Sequence, residues 1–404
     1  MSRRSPAGRP AARASFALLA LLAVVAAGCG GPVFANPPAA RPEITPAPAS
    51  TPRPPDPQPV VLPADDAPHD RLTEWWYYTG HLQDETGGRW GFEFVIFRAE
   101  RGGFPVTWAS HVALTDEEDG RFHYAQRAEI GPQVDLAADA AGAAGAADAG
   151  GFALGIRGLD LSDPSTFARG PWAMTGADGT DRLEASAGAA ESAGDASGGF
   201  GIALDLAATK PPALHDRDGY IDFGPAGGSY YYSRTAMAAS GSISVGARTL
   251  AVEGSAWFDH QWGDFISVGA GGWDWFAINL DDGTDVTISL VRAEDGTFPL
   301  VYGTLVDADG ATRHLAAGDL SVEATGDWTS PATGATWPAG WTVSLPAEDL
   351  VVHLEPSVPQ QELDTRATTG VVYWEGSQRV SATRGGIALG GEAYVELTGY
   401  FAER

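Results

Sequence analysis

The chain has one cysteine, Cys29, and one lysine, Lys210. A lone thiol builds neither a disulfide framework nor a thiolate metal cluster. Positive charge is scarce overall: 25 Lys and Arg face 52 Asp and Glu, and a net charge of −27 repels phosphate backbones, which argues against nucleic acid as a partner. Several chemistries lack their signatures. No Gly-x-Ser-x-Gly elbow is present, so Ser110-His111 is not a nucleophile motif. His111 and His123 have no His, Asp or Glu at ligand spacing, and no metal site is expected. Asp-Gly pairs such as 281–283 read as hairpin turns with too few alternating oxygens for a calcium loop. Glycine-rich runs read as loops rather than phosphate cradles, and no cofactor is expected. Beyond the N-terminus no long stretch has a helical period, although the alanine-rich run 136–149 would permit one.

What is present begins with a leader. Arg3, Arg4, Arg9 and Arg13 precede an apolar run, 16–27, that is short for a bilayer span. The run ends in Val25-Ala26-Ala27-Gly28-Cys29, small residues directly before a cysteine, which predicts a lipoprotein signal over 1–29 with Cys29 lipidated. An ordinary signal peptide cut nearby is the alternative. The protein is thus expected to be exported and lipid-anchored to the cell-envelope membrane. Residues 30–66 are rich in Pro and Ala, a composition that makes a semi-extended tether and no core.

From His69 onward, short aromatic and β-branched runs alternate with Gly/Asp turns, the pattern of strands and hairpins. The pattern occurs twice. Trp75-Trp76-Tyr77-Tyr78, followed by Leu82 and Asp84, matches Trp273-Asp274-Trp275-Phe276, followed by Leu280 and Asp282. Arg98-Ala99-Glu100 then Phe104-Pro105 matches Arg292-Ala293-Glu294 then Phe298-Pro299. The period is too long for a solenoid and reads as a duplicated domain. An all-β fold follows: two tandem lipocalin-like β-barrels packed together, over 67–262 and 263–404, each with a lumen able to hold one small ligand. The Ala/Gly-rich runs 136–151 and 185–199 read as loop insertions. The chain is densest in chemistry over 253–283, where four tryptophans accompany Asp259, His260 and Asp274.

Several pieces resemble the AttH and carotenoid 1,2-hydratase family, which has two lipocalin-like domains. They are His69 with Glu74-Trp75-Trp76-Tyr77, Ser233-Arg234-Thr235, the run Gly254-Ser255-Ala256-Trp257-Phe258-Asp259-His260-Gln261-Trp262-Gly263, Trp273-Asp274-Trp275-Phe276, Tyr373-Trp374-Glu375-Gly376 and Glu396-Leu397-Thr398-Gly399-Tyr400. The resemblance implies an apolar, isoprenoid-like or polyketide-like ligand. It implies hydratase activity in some members, assisted cyclisation in others, and a transporter permease as partner in those that accompany transporter genes. In hydratase members an aspartate acid works with His, Trp and Tyr. His260 and Trp262 match the His-x-Trp part and Asp274 is the candidate acid, while Gly272 and Trp273 stand where a tyrosine is sought.

Strand alternation puts Phe258, His260 and Trp262 on one face, and Asp274, Phe276, Ile278 and Leu280 on another. Burial would raise an aspartate there into the range of a general acid. Such an acid protonates an alkene, ring faces stabilise the cation, and His260 activates water. Residues expected to meet the ligand are Trp75, Tyr77, Trp257, Trp273, Trp275 and Phe276. The structural alternatives are that the tryptophans form barrel floor, that Asp259-His260 is a hydrogen-bonded pair, and that Glu74 and Glu375 bind backbone amides or arginines such as Arg98 and Arg292. Two functions follow: a membrane-anchored carrier of a hydrophobic small molecule, working with a transporter, or a hydratase acting on an isoprenoid double bond.

Overall fold

Alternating apolar and polar residues turn most of the described chain into strands. The computed structural model describes residues 55–137, 150–158, 166, 169–194, 198–265 and 271–401. The leader, Cys29, most of the tether and most of the 136–151 run lie outside the described residues.

The first barrel is one antiparallel sheet. Its longer strands are β1 (Thr73–Asp84), β2 (Arg89–Ala99), β3 (Thr107–Asp116), β4 (Arg121–Ile130), β5 (Phe152–Ile156), β6 (Trp172–Ala177), β7 (Thr180–Ala187), β8 (Phe200–Ala208), β9 (Gly228–Val245) and β10 (Arg248–Gly263). They pair in the order β5-β6-β7-β8-β9-β10-β1-β2-β3-β4. Ala185–Ala187, expected in a loop, completes β7, because alternate residues Ala185 and Ala187 join the core. The second barrel repeats the plan with β11 (Trp273–Leu280), β12 (Asp285–Val291), β13 (Leu300–Val306), β14 (Thr312–Ala316), β15 (Ser321–Ala324), β16 (Trp341–Leu345), β17 (Leu350–Pro356), β18 (Val372–Arg384) and β19 (Gly391–Thr398). These pair in the order β14-β13-β12-β11-β19-β18-β17-β16-β15.

Both repeats point the same positions inward. Trp76 and Tyr78 of β1 enter the first core, as Phe276 and Ile278 of β11 enter the second. The interiors, expected to hold ligand, are occupied by large rings: Trp76, Phe94, Trp172 and Phe258 in the first barrel, and Phe276, Trp337, Trp341 and Trp374 in the second. Indoles and phenyl rings at successive inward positions use up a lumen of this size.

Segment 57–72 departs from the tether expected to run through Asp66. Asp66 is fully buried, bonded at 2.9 Å by Arg234 and also by the Tyr232 hydroxyl, and its carbonyl accepts from Trp76 Nε1 at 3.2 Å. A carboxylate matched to a buried guanidinium anchors a stretch whose composition builds no core.

Among the described residues no ladder joins β4 to β5, and side chains bridge that joint. Arg127 donates to the carbonyls of Ile156 (3.3 Å) and Gly170 (2.9 Å), pairs with Glu191 at 2.7 Å, and lies 4.2 Å over the Trp172 ring. Glu129 accepts from the Arg157 amide at 2.7 Å. Arg127→Ala leaves Glu191 with Arg169 alone, at 3.5 Å, and strips a buried donor from the carbonyls of Ile156, Gly170 and Ser186, so urea unfolding should show a loss of about 3 kcal/mol. Arg127→Lys should not restore it, because an ammonium cannot fork to these acceptors and lie flat on an indole.

Candidate active site at the junction of the two barrels

Every strand at the junction has two faces. On β1, Trp76 and Tyr78 point into the barrel, so Trp75 and Tyr77 point out. On β11, Trp275 and Ala277 point out to meet them. Tyr77 and Trp275 cross edge to face at 5.3 Å, and Trp257 packs 6.1 Å from Trp275. The barrels approach closely: a Cβ on Gly91 would lie 2.8 Å from the Ser377 side chain, so only glycine fits. The sole lysine helps hold them, Lys210 binding Asp285 of the second barrel at 2.6 Å.

Buried carboxyl groups line this junction. Tyr77 donates to Glu375 Oε1 at 2.6 Å. Tyr373 Oη lies 3.3 Å from Glu93 Oε1 and 2.7 Å from His111 Nδ1, and His111 Nε2 is 3.0 Å from Thr368 Oγ1. Glu375 and Glu396 face each other directly across β18 and β19. Two carboxylates at that spacing repel, so at most one ionises readily. Asp259 is a hub, taking Tyr231 O–H at 2.5 Å, Trp257 N–H at 2.6 Å and the Ser233 hydroxyl. Tyr231 in turn accepts Trp275 N–H at 3.0 Å.

Burial sets the protonation states. It pushes Glu93 up to about 8, helped by the nearby Glu396 charge. It pushes Glu375 well above the usual carboxylate range, with Glu396 and Glu93 adding to the effect. It raises Asp259 to about 7 against its three donors. His111, stripped of water, falls to about 3 and is a neutral imidazole. Near neutral pH, Glu93 and Glu375 are therefore carboxylic acids. Each is bonded through Oε1, and the Oε2 of each has no hydrogen-bond partner among the described residues.

The structure separates the residues of the expected acid–base pair. His260 points into the first barrel, 4.7 Å from both the Trp76 and Trp262 rings. Its Nε2 is 2.9 Å from Glu74, which also takes the His69 ring at 2.7 Å and the His69 amide at 2.9 Å. Trp262 stacks on His69 at 4.1 Å. Asp274 points into the second barrel, paired with Arg292 at 3.3 Å and bonded by Tyr400 at 2.9 Å; burial raises it to about 6 against the Arg292 charge. The expectation that Asp274 and His260 act together is therefore corrected: alternation sends each to its own lumen. The same rule undoes the Asp259-His260 pair, since neighbours on a strand face opposite ways.

Of the expected ligand contacts, Tyr77, Trp257 and Trp275 form the junction cluster, with Trp75 packed on it. Trp273 sits at its edge, donating to half-buried Glu396 at 3.0 Å. Phe276 is a correction, because it packs on Trp341 inside the second barrel. Glu375 binds a tyrosine rather than an arginine; Arg98 pairs instead with Glu100. Glu93 went unread, though a glutamate inside Trp90-Gly91-Phe92-Glu93-Phe94-Val95-Ile96-Phe97 is a signal of a buried acid. Among the described residues, His69, Glu74 and His260 offer atoms within 4.8 Å of one another that could hold a metal ion. Their mutual hydrogen bonds already account for the arrangement.

Two curled sheets joined at a buried polar and aromatic junction define a two-domain lipocalin-like protein. The AttH-like family profile matches residues 53–400, and the chain belongs to that family. It is similar to a protein of Nitrosomonas europaea assigned as AttH, at 29% identity over 85% of this chain and 98% of that one, with a TM-score of 0.68. Kievitone hydratase of Nectria haematococca shares the fold at 15% identity, over 84% and 93% of the two chains, with a TM-score of 0.60. Comparison with curated proteins finds no match.

The junction makes stability depend on pH. An acid raised in the folded state contributes stability that is full below its unfolded value, about 4, and is lost as pH rises through the folded value. For Asp259 and Glu93 that loss runs up through about 7 and about 8. The melting temperature should fall from pH 6 to 9, and Glu93→Gln should flatten the upper part of that fall.

Proposed function

We propose that this protein adds water to a carbon–carbon double bond of an apolar, isoprenoid-like molecule held at the junction. One observation carries the reading: Glu375 and Glu93 are buried acids whose Oε2 atoms have no hydrogen-bond partner among the described residues. In this reading Glu375 gives its proton to one alkene carbon, and the cation on the other carbon is stabilised by the faces of Tyr77, Trp257 and Trp275. Water forms the new C–O bond and releases a proton to the Asp259 carboxylate, which three donors hold in place. Loss of the proton from Asp259 to solvent and uptake of one by Glu375 restore both groups; the line from Glu93 through Tyr373 and His111 to Thr368 is a hydrogen-bonded route into the same buried region. Asp274, matched by Arg292, takes no part.

The leader and Cys29 support export and anchoring to the envelope membrane, where an apolar substrate dissolves. Carriage of the same ligand toward a transporter permease is the second reading, supported by the aromatic walls. A panel of acyclic terpenoid alkenes in ¹⁸O-water separates the two. Wild type should yield ¹⁸O-labelled alcohol, and Glu375→Gln should lower the rate about 10²–10⁴-fold while ligand binding persists. Asp274→Asn should retain most activity. Bound but unconverted alkenes would favour the carrier, and an unimpaired Glu375→Gln would remove the assigned acid.

A further inference from the structure

Single exposed apolar residues are ordinary on a protein surface; their clustering is not. Seven large hydrophobic side chains are exposed among the described residues: Val61, Phe104, Ile130, Trp273, Phe298, Val371 and Ile387. Strand register locates them. Across the first barrel, Gly263, Thr73, Ala99, Thr107 and Ile130 form one transverse row. The β2–β3 hairpin projects beyond that row, with Phe104 at its tip. Across the second barrel, Tyr373, Thr398, Trp273, Val291 and Leu300 lie at the corresponding row. The β12–β13 hairpin projects beyond it, carrying Phe298, and Val371 precedes β18.

Both rows lie at the same end. β9 and β11 start at these rows and stay in step across the junction, Tyr231 meeting Trp275 and Thr235 meeting Asn279. Segment 57–72 starts there too, since the Gln58 amide donates to Tyr230, next to the row. Six of the seven exposed side chains therefore share one end, and Ile387, in the hairpin returning from Arg384, marks the other. The two leading phenylalanines are repeat equivalents. Each comes just after a glycine of positive φ, Gly103 (81°) directly before Phe104 and Gly296 (80°) two residues before Phe298, and each precedes a proline, which fixes it at the turn.

We infer that this end docks on a lipid bilayer, with Phe104 and Phe298 as paired wedges entering the headgroup region. This rests on the proposed lipidation of Cys29. The compact unit begins at Pro57, at this end, so the tether from Cys29 leads from the membrane to the apolar rim. Twenty-seven residues, 30–56, would span about 84 Å at roughly 3.1 Å per residue. Tethering keeps the rim at high local concentration, so shallow insertion suffices. Attraction is apolar: Glu100, Glu294 and Asp295 flank the tips, against one cation, Arg101, and the chain carries −27, so neutral lipid is favoured over anionic lipid.

The full-length lipidated protein in phosphatidylcholine vesicles tests this. With Cys29 blocked by lipid, Phe104→Cys, Phe298→Cys and Ile387→Cys each provide one thiol for an environment-sensitive dye. Dyes at 104 and 298 should shift to the blue and be quenched by brominated lipids; the dye at 387 should do neither. Replacing half the lipid by phosphatidylglycerol should weaken both effects. Equal responses at all three positions, or none, would overturn the docking. Blue shifts that brominated lipids do not quench would assign the rim to a second copy or another protein and overturn it as well. A dye that also labels Cys29 would instead remove the lipid anchor, and adding vesicles to that soluble chain would still decide the docking.

Discussion

Like charge confined out of water is the constraint on which this architecture turns. Glu375 and Glu396 are opposed on adjacent strands, and Glu93 reaches the same buried space from the other barrel. Among the described residues no arginine or lysine is bonded to Glu93 or Glu375, and the chain's single lysine is engaged elsewhere. Repulsion and desolvation are relieved by keeping protons on the carboxyls. A stability cost of that kind persists where protonated acids serve a function, since well-packed apolar residues would hold two barrels together at least as well.

The division of labour between strand faces follows from the same geometry. Apart from Glu74, His260 and Asp274, inward positions of β1, β2, β10 and β11 are mainly aromatic or aliphatic and fill the barrels. Outward positions on those strands, which would meet solvent in a lone barrel, instead carry Tyr77, Glu93, Asp259 and Trp275 against the other domain. Duplication supplies two such outward faces, and packing them together buries polar and aromatic side chains between the barrels without opening either core. Asp274 and the His69–Glu74–His260 trio show the contrasting outcome: these carboxylates inside a barrel meet a guanidinium or imidazole rings.

Much of this was legible before any coordinates. Turn residues at regular spacing and period-two alternation identified strands; the recurrence of the Trp-Trp-Tyr-Tyr and Arg-Ala-Glu blocks identified two barrels; the aromatic run around Asp259 identified their junction. Alternation also sorted Phe258, His260 and Trp262 correctly onto one face. These are local properties, set by the residues themselves and their neighbours along the chain.

Which face met which was decided by tertiary structure alone. Asp259 and His260 are adjacent in sequence and serve different compartments, and Glu93 and Glu375 are far apart in sequence and serve the same one. Alternation says that two neighbours diverge, yet it does not say whether the outer one finds water or a second barrel. Only the packing of one sheet on another removes that water, and its removal is what turns ordinary glutamates into acids near neutral pH.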